Sequence, residues 1–218
     1  MSIDINAIDG IIFDIDGTIW DSTGVVEKAW NRSLEECGYD KRVTADELKG
    51  LFGLPMEDIF NRIVTESDED RKQNFMEMCS QYEFEYLRRE AGIVYEGFGE
   101  LLRSLKGRYK LAIVSNCQQG YIEIVCEATG FTPYFDVALC PGDTGVLKAA
   151  NIKIAAERAG MQCPLYVGDT HMDEVATREA GAYFCHAAYG FGYSTEPDFV
   201  INSPMELAEI LGIDRSSC

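Results

Sequence analysis

No stretch of this chain reaches the roughly 18 to 20 consecutive apolar residues that a membrane helix needs. The N-terminus also lacks a basic region followed by an apolar one, so the sequence predicts neither a membrane span nor a cleaved signal. Basic residues are scarce: 19 Lys and Arg stand against 37 Asp and Glu, a net charge of −18. That balance speaks against a nucleic-acid partner, whose phosphates are met by Lys and Arg surfaces, and against docking to anionic lipid. An anionic substrate would need a locally positive site, because the global field does not draw it in. The eight cysteines (37, 79, 117, 126, 140, 163, 185 and 218) form no CxxC pair and no clustered metal-ligand spacing. A chain of 218 residues with 46% hydrophobic content can fill a core without disulfide staples, so reduced, mostly buried thiols in a cytoplasmic protein are expected. There are no internal repeats and no low-complexity segments. Nothing specifies an oligomer, so the expectation is a monomer or at most a weak homodimer.

What is present is an alternation of apolar runs and amphipathic stretches. Strands are predicted at 7–13, 110–114, 137–139 and 165–167, with weaker ones at 182–186 and 199–201. Helical patterns occupy 97–105, 121–129, 149–159, 172–180 and 205–211. Strands separated by helices imply a Rossmann-like parallel α/β sheet covered on both faces, with the ligand at the strands' carboxyl ends. Residues 22–90 differ. Helices are predicted at 25–37, 45–50, 56–64 and 69–89, with no convincing strand between them. We read 21–91 as an all-helical insertion placed over the sheet's carboxyl edge, and 1–20 with 92–218 as the α/β core.

The richest segment is Ile11-Ile12-Phe13-Asp14-Ile15-Asp16-Gly17-Thr18. Two carboxylates at the end of a buried strand are costly to desolvate unless a cation or donors meet them there, and Gly17 permits a sharp turn. A second constellation, Val114-Ser115-Asn116, places a hydroxyl and backbone amides at another strand end, a group able to hold phosphate oxygens. A third feature is Lys148, with Lys153 as its competitor. The fourth, Val167-Gly168-Asp169-Thr170-His171-Met172-Asp173, sets one acid at a strand end and another four residues later on a helix. Asp169 near Asp14 would make an oxygen-rich site suited to Mg²⁺.

In this order the four pieces resemble the haloacid-dehalogenase-like superfamily, from Ile11 to about Leu211, and within it the phosphoglycolate-phosphatase and β-phosphoglucomutase branch with an inserted helical cap. The tail, Tyr189-Gly190-Phe191-Gly192-Tyr193, is similar to that branch's closing segment. The resemblance implies a Mg²⁺-dependent phosphatase acting on a small phosphorylated metabolite such as phosphoglycolate or a sugar phosphate. It assigns Asp14 as the nucleophile, Asp16 as general acid and base, and Lys148 as the residue that neutralises charge. Gly17, Thr18, Ser115 and Asn116 would bind the phosphoryl group. Asp14, Asp169 and the Asp16 carbonyl would hold the metal, with Asp173 supporting them from behind. Lys49 and Gly50, in the Lys49–Pro55 loop, and Trp20 are the candidates for substrate contact.

Departures are few. Lys-Pro is common at the third motif, whereas here it reads Lys148-Ala149; the second hinge reads Tyr95-Glu96-Gly97 where a Pro-Gly pair is frequent. Asp16 separates the chain from the dehalogenases, which lack that second acid. Lys28 is expected on the surface, not as an imine-forming lysine of the phosphonate-cleaving relatives. A phosphosugar mutase is the nearest alternative, yet Val26 stands where its cap histidine would be, and both His171 and His186 lie outside the insertion. A receiver-like phospho-Asp module or a non-catalytic binding protein is the alternative from another class. The filled catalytic positions and the large helical insertion argue against both.

Overall fold

In the computed structural model, which describes residues 4–54 and 56–213, the chain begins with a 3-10 turn, Ile5–Ala7, and strand β1, Gly10–Phe13. A two-residue strand β2 (Trp20–Asp21) leads into helices α1 (Thr23–Glu36), α2 (Ala45–Lys49), α3 (Met56–Ile63) and α4 (Glu69–Arg89). Strand β3 (Ile93–Val94) returns antiparallel to β2, so entry and exit of the helical block share a short ribbon, Trp20 opposite Val94. Then follow α5 (Phe98–Leu105), β4 (Lys110–Val114), α6 (Tyr121–Thr129), β5 (Val137–Leu139), α7 (Pro141–Thr144) and α8 (Lys148–Ala159). The last elements are β6 (Pro164–Gly168), α9 (His171–Ala180), β7 (Tyr183–Ala187), β8 (Phe199–Ile201) and α10 (Pro204–Ile210).

Six strands form one parallel sheet in the order β5-β4-β1-β6-β7-β8. The central strands are near-continuous apolar runs because helices cover both faces. All four residues of β1 are buried, as are Leu111–Val114 of β4 and Leu165–Gly168 of β6. One core, including Ile11, Phe13, Phe98 and Leu102, fills one face; Ile12, Ala112, Tyr166 and Phe184 belong to a second on the other. The helical block has its own cluster, with Trp30 stacked on Phe60 and Phe75 edge-on to Phe60.

The strand expected over 7–13 is shorter, because the Asp4 carboxylate accepts from the Asn6 amide and draws the chain into a turn first. The β2–β3 ribbon went unpredicted, since two residues carry no readable periodicity. Among the described cysteines none is paired, and five of them are buried (Cys79, Cys117, Cys126, Cys140 and Cys185); Cys218 lies outside the described residues. Among the described residues, no helix is long and apolar enough to cross a membrane.

Near the carboxyl edge, α9 anchors the segment after β7. The buried Glu174 carboxylate accepts from the Thr195 and Glu196 amides (2.8 and 2.7 Å) and from the Ser194 and Thr195 hydroxyls (both 3.0 Å). Burial alone would raise its pKa, but those donors outweigh it and push the group from 4.5 down to about 2. A carboxylate depressed in the folded state stabilises above its unfolded pKa, and that contribution fades as pH falls through the folded value. Wild type should therefore exceed Glu174→Gln in thermal midpoint at pH above 4.5, with the gap closing as pH falls toward about 2. An equal gap at both ends of that range in thermal melts would rule out a charge-dependent contribution.

Candidate active site

Three adjacent central strands deliver the key groups. Asp14 follows β1, Ser115 follows β4 and Asp169 follows β6, and β1 lies between β4 and β6. The ladder continues one step past β1 and β4: the Asp14 amide donates to the Val167 carbonyl (2.9 Å) and the Ser115 amide to the Leu139 carbonyl (3.3 Å). Both side chains therefore leave the sheet from a backbone that the sheet itself holds.

Lys148 is the first residue of α8, one residue earlier than the helix expected over 149–159; it is buried, with its ammonium 2.6 Å from Asp173 Oδ1 and 3.2 Å from Asp14 Oδ1. Lys153 is exposed on the same helix. Asp173 is fixed in turn: its Oδ2 accepts from the Thr170 amide (3.0 Å) and hydroxyl (2.7 Å) in the capping box that starts α9. Burial opposes the Lys148 charge, but Asp14 and Asp173 outweigh it and raise its pKa. That ammonium is charged throughout the physiological range.

The acids are raised as well, which favours their neutral forms. Burial raises Asp14 to about 6 against the pull of Lys148, and burial with the neighbouring Asp173 and Asp14 holds Asp169 well above the carboxylate range. Ligand oxygens of Asp14, Asp169 and Asp173 lie within 4.8 Å of one another. Asp169 Oδ2 accepts from the Phe191 amide (2.7 Å), whereas Asp169 Oδ1 is buried without a hydrogen-bond partner, and Asp14 Oδ1 has only the nearby ammonium. Hard, anionic, under-satisfied oxygens converging in a buried space fit a divalent cation such as Mg²⁺. Two glycines make the crowding possible. A Cβ on Gly17, at φ +80°, would lie 2.1 Å from Asp169 Oδ2, and one on Gly190 would lie 2.3 Å from the Asp169 Cβ.

Asp16 has a different environment. Its Oδ1 accepts from Ser22 Oγ (2.6 Å), Tyr121 Oη (2.9 Å) and Trp20 Nε1 (3.1 Å). Burial outweighs these donors and raises it to about 7. The two carboxyls of one turn are thus set apart: one faces a cation, the other is a positioned acid held by neutral donors.

Between these groups and the helical block lies a cavity. The sheet side contributes Asp14, Asp16, Ser115, Asn116 and Tyr121; Trp30 from α1, Phe52–Leu54, Ile59 from α3 and Glu83 from α4 close it. The block is tied down at this seam, with Asn116 Nδ2 donating to the Gly53 carbonyl (2.9 Å) and Phe52 edge-on to Phe191.

Several expected contacts are corrected. The loop after α2 does reach the cavity, but through Phe52, Gly53 and Leu54; Lys49 instead faces Asp21 (3.8 Å) and Asp46 (3.9 Å), and Gly50 lines a separate groove with Lys41 and Arg62. Pro55 of that loop lies outside the described residues. Trp20 is fully buried and acts on Asp16, not on the cavity. The Gly17 amide donates to the Trp20 carbonyl (3.0 Å) and the Thr18 amide to the Ile15 carbonyl (3.1 Å), so both are spent on the turn and not offered to a phosphate. Lys28 is half-exposed and paired with Glu90 (2.6 Å), as a surface lysine should be.

Glu83 was missed because α4 carries so many charges that one more reads as solvated. The available signal was its place in the buried stripe Phe75, Cys79, Glu83, Leu87, every fourth residue of the helix.

Residues 11–187 match the family described as haloacid dehalogenase-like hydrolase. The chain is 26% identical to a phosphoglycolate phosphatase of Aquifex aeolicus, covering 92% of this chain and 95% of that protein. It is 24% identical to the pyrophosphatase PpaX of Oceanobacillus iheyensis, over 93% of this chain and 96% of that one. A haloacid dehalogenase-like family hydrolase from Streptococcus pneumoniae superposes with a TM-score of 0.82 at 22% identity, covering 94% of this chain and 98% of the other.

Proposed function

The chain belongs to the haloacid dehalogenase-like hydrolases and is an enzyme of the phosphatase type, and from that premise we propose that it hydrolyses a small phosphomonoester through an aspartyl-phosphate on Asp14. The observation that carries this reading is the asymmetry of one turn: Asp14 faces the Lys148 ammonium at 3.2 Å, while Asp16 is held by three neutral donors.

In the first step an Asp14 carboxylate oxygen attacks phosphorus and the ester P–O bond breaks. Asp16, raised to about 7, gives its proton to the departing alkoxide. In the second step Asp16, now ionised, takes a proton from a water that attacks phosphorus, and Asp14 leaves as a carboxylate with release of phosphate. Ser115 and the Asn116 amide hold the phosphoryl oxygens at the strand end. Lys148, kept in place by Asp173, offsets negative charge on Asp14 and the phosphoryl group. A divalent cation held by Asp14, Asp169 and the Asp16 carbonyl would add the remaining positive charge that an anionic nucleophile needs against an anionic phosphate.

We read residues 21–91 as a cap whose closure excludes water from the phosphoryl group. The β2–β3 ribbon supports this, because both chain crossings lie side by side. No histidine lies in that block, which favours water over a sugar hydroxyl as the acceptor. Small phosphorylated metabolites, phosphoglycolate and sugar phosphates among them, make up the screening panel.

Asp16→Asn tests the division of labour. Against alkyl phosphates, whose leaving group needs a proton, kcat should fall about 10² to 10⁴-fold. Against acetyl phosphate or p-nitrophenyl phosphate the first step should be far less affected. Equal losses on both substrate classes in single-turnover kinetics would remove Asp16 as the acid.

A further inference from the structure

Glu83 is a buried carboxylate, 4% exposed, in the roof of the cavity that Asp14 and Asp16 floor. It is not stranded: Trp30 Nε1 donates to Oε2 (2.8 Å) and Gln118 Nε2 donates to Oε1 (3.1 Å). Among the described residues it has no counter-ion. Both of those partners are neutral, and the ionisable group that acts on it is another acid, Asp16. No Lys or Arg is among the residues lining this cavity. Lys148, the ammonium of the site, is already engaged by Asp14 and Asp173 on the sheet side.

We infer that Glu83 is a specificity-determining residue, selecting phosphomonoesters whose alcohol part is neutral or carries an ammonium and donates a hydrogen bond, and rejecting those that carry a second anion. The inference rests on the proposed phosphatase reading for the position of the phosphoryl group and deepens it. With the phosphoryl group seated at Asp14 and Ser115, the rest of the substrate extends into the same cavity, whose lining includes Glu83 and its two partners, Trp30 and Gln118. A hydroxyl there gains a carboxyl acceptor in a site of low dielectric, and an ammonium there draws Glu83, which burial raises to about 7, into its ionised form. A carboxylate or second phosphate in that place would face Glu83 with no Lys or Arg in the lining to receive it, so discrimination comes from repulsion as well as attraction.

The test is kcat/KM of wild type, Glu83→Gln and Gln118→Lys on ethanolamine phosphate and glycerol phosphate against phosphoglycolate and pyrophosphate, with p-nitrophenyl phosphate as the control. Wild type should favour the first pair by at least about tenfold, mainly through KM. Glu83→Gln should shrink that ratio about tenfold or more, and Gln118→Lys, placed on a partly exposed side chain, should raise kcat/KM on phosphoglycolate. Thermal melts identify a variant that fails to fold, and the other variant then decides. A wild-type preference for phosphoglycolate or pyrophosphate, or a ratio that neither folded variant moves, overturns the inference. If no ester is hydrolysed, p-nitrophenyl phosphate included, the phosphatase reading fails by itself. The dissociation constants of the same esters for Asp14→Asn, with and without Glu83→Gln, then decide the role of Glu83 by the same ratio.

Discussion

Asp14→Asn is expected to lower kcat by on the order of 10⁴-fold or more while leaving the protein folded. The amide is isosteric with the carboxyl and keeps an oxygen toward Lys148, so the buried space stays filled. It cannot attack phosphorus to give an acyl phosphate that water then hydrolyses. Stability should not suffer, because Asp14 is a strained occupant: burial raises it to about 6 even with an ammonium 3.2 Å away. Removing one of three converging acids relieves repulsion between Asp14, Asp169 and Asp173. The thermal midpoint should hold or rise as activity disappears. Loss of activity accompanied by a collapsed midpoint would mean that Asp14 serves the fold, and wild-type turnover would exclude it as nucleophile.

Removing divalent metal should be equally severe. Three buried carboxylates share one ammonium, so the local balance is negative before any phosphate arrives. Thorough chelation should bring hydrolysis below detection, and added Mg²⁺ should restore it. A readout independent of turnover follows from linkage: a cation that binds only the folded chain stabilises it by about 2.7 kcal/mol at a hundredfold excess over Kd. Mg²⁺ should therefore raise the thermal midpoint of wild type, and Asp169→Asn should abolish most of that rise. Activity that survives chelation, or a midpoint indifferent to Mg²⁺, would contradict the site.

Much of this architecture is legible in the sequence, for a physical reason. Strands such as Lys110–Val114 and Pro164–Gly168 are buried on both faces and stand out as apolar runs. The residue that follows each one sits at the sheet's carboxyl edge by construction. Asp14, Ser115 and Asp169 could therefore be placed together once the alternation was seen. Long-range partnerships were harder. Lys148 looks like any lysine until α8 and α9 bring it to Asp173, 25 residues away. Lys49 opens the loop expected to meet substrate, yet Asp21 draws its amine toward the ribbon. The glycine after Asp16 marked a turn correctly, but that its amide is spent on Trp20 is a property of the turn's closure. Glu83 was hidden because charge and burial on α4 are separated only by helical phase.

The central claim is that the phosphoryl group passes through Asp14. The most direct measurement is an acid quench of enzyme mixed with ³²P-labelled acetyl phosphate and Mg²⁺, followed by peptide mapping of the precipitated protein. The account predicts a base-labile label on the peptide that contains Asp14, greater in Asp16→Asn because hydrolysis of the intermediate is slowed, and absent in Asp14→Asn. Phosphate release within a single turnover at the full rate with no label on the protein, or a label on a different residue, would contradict it.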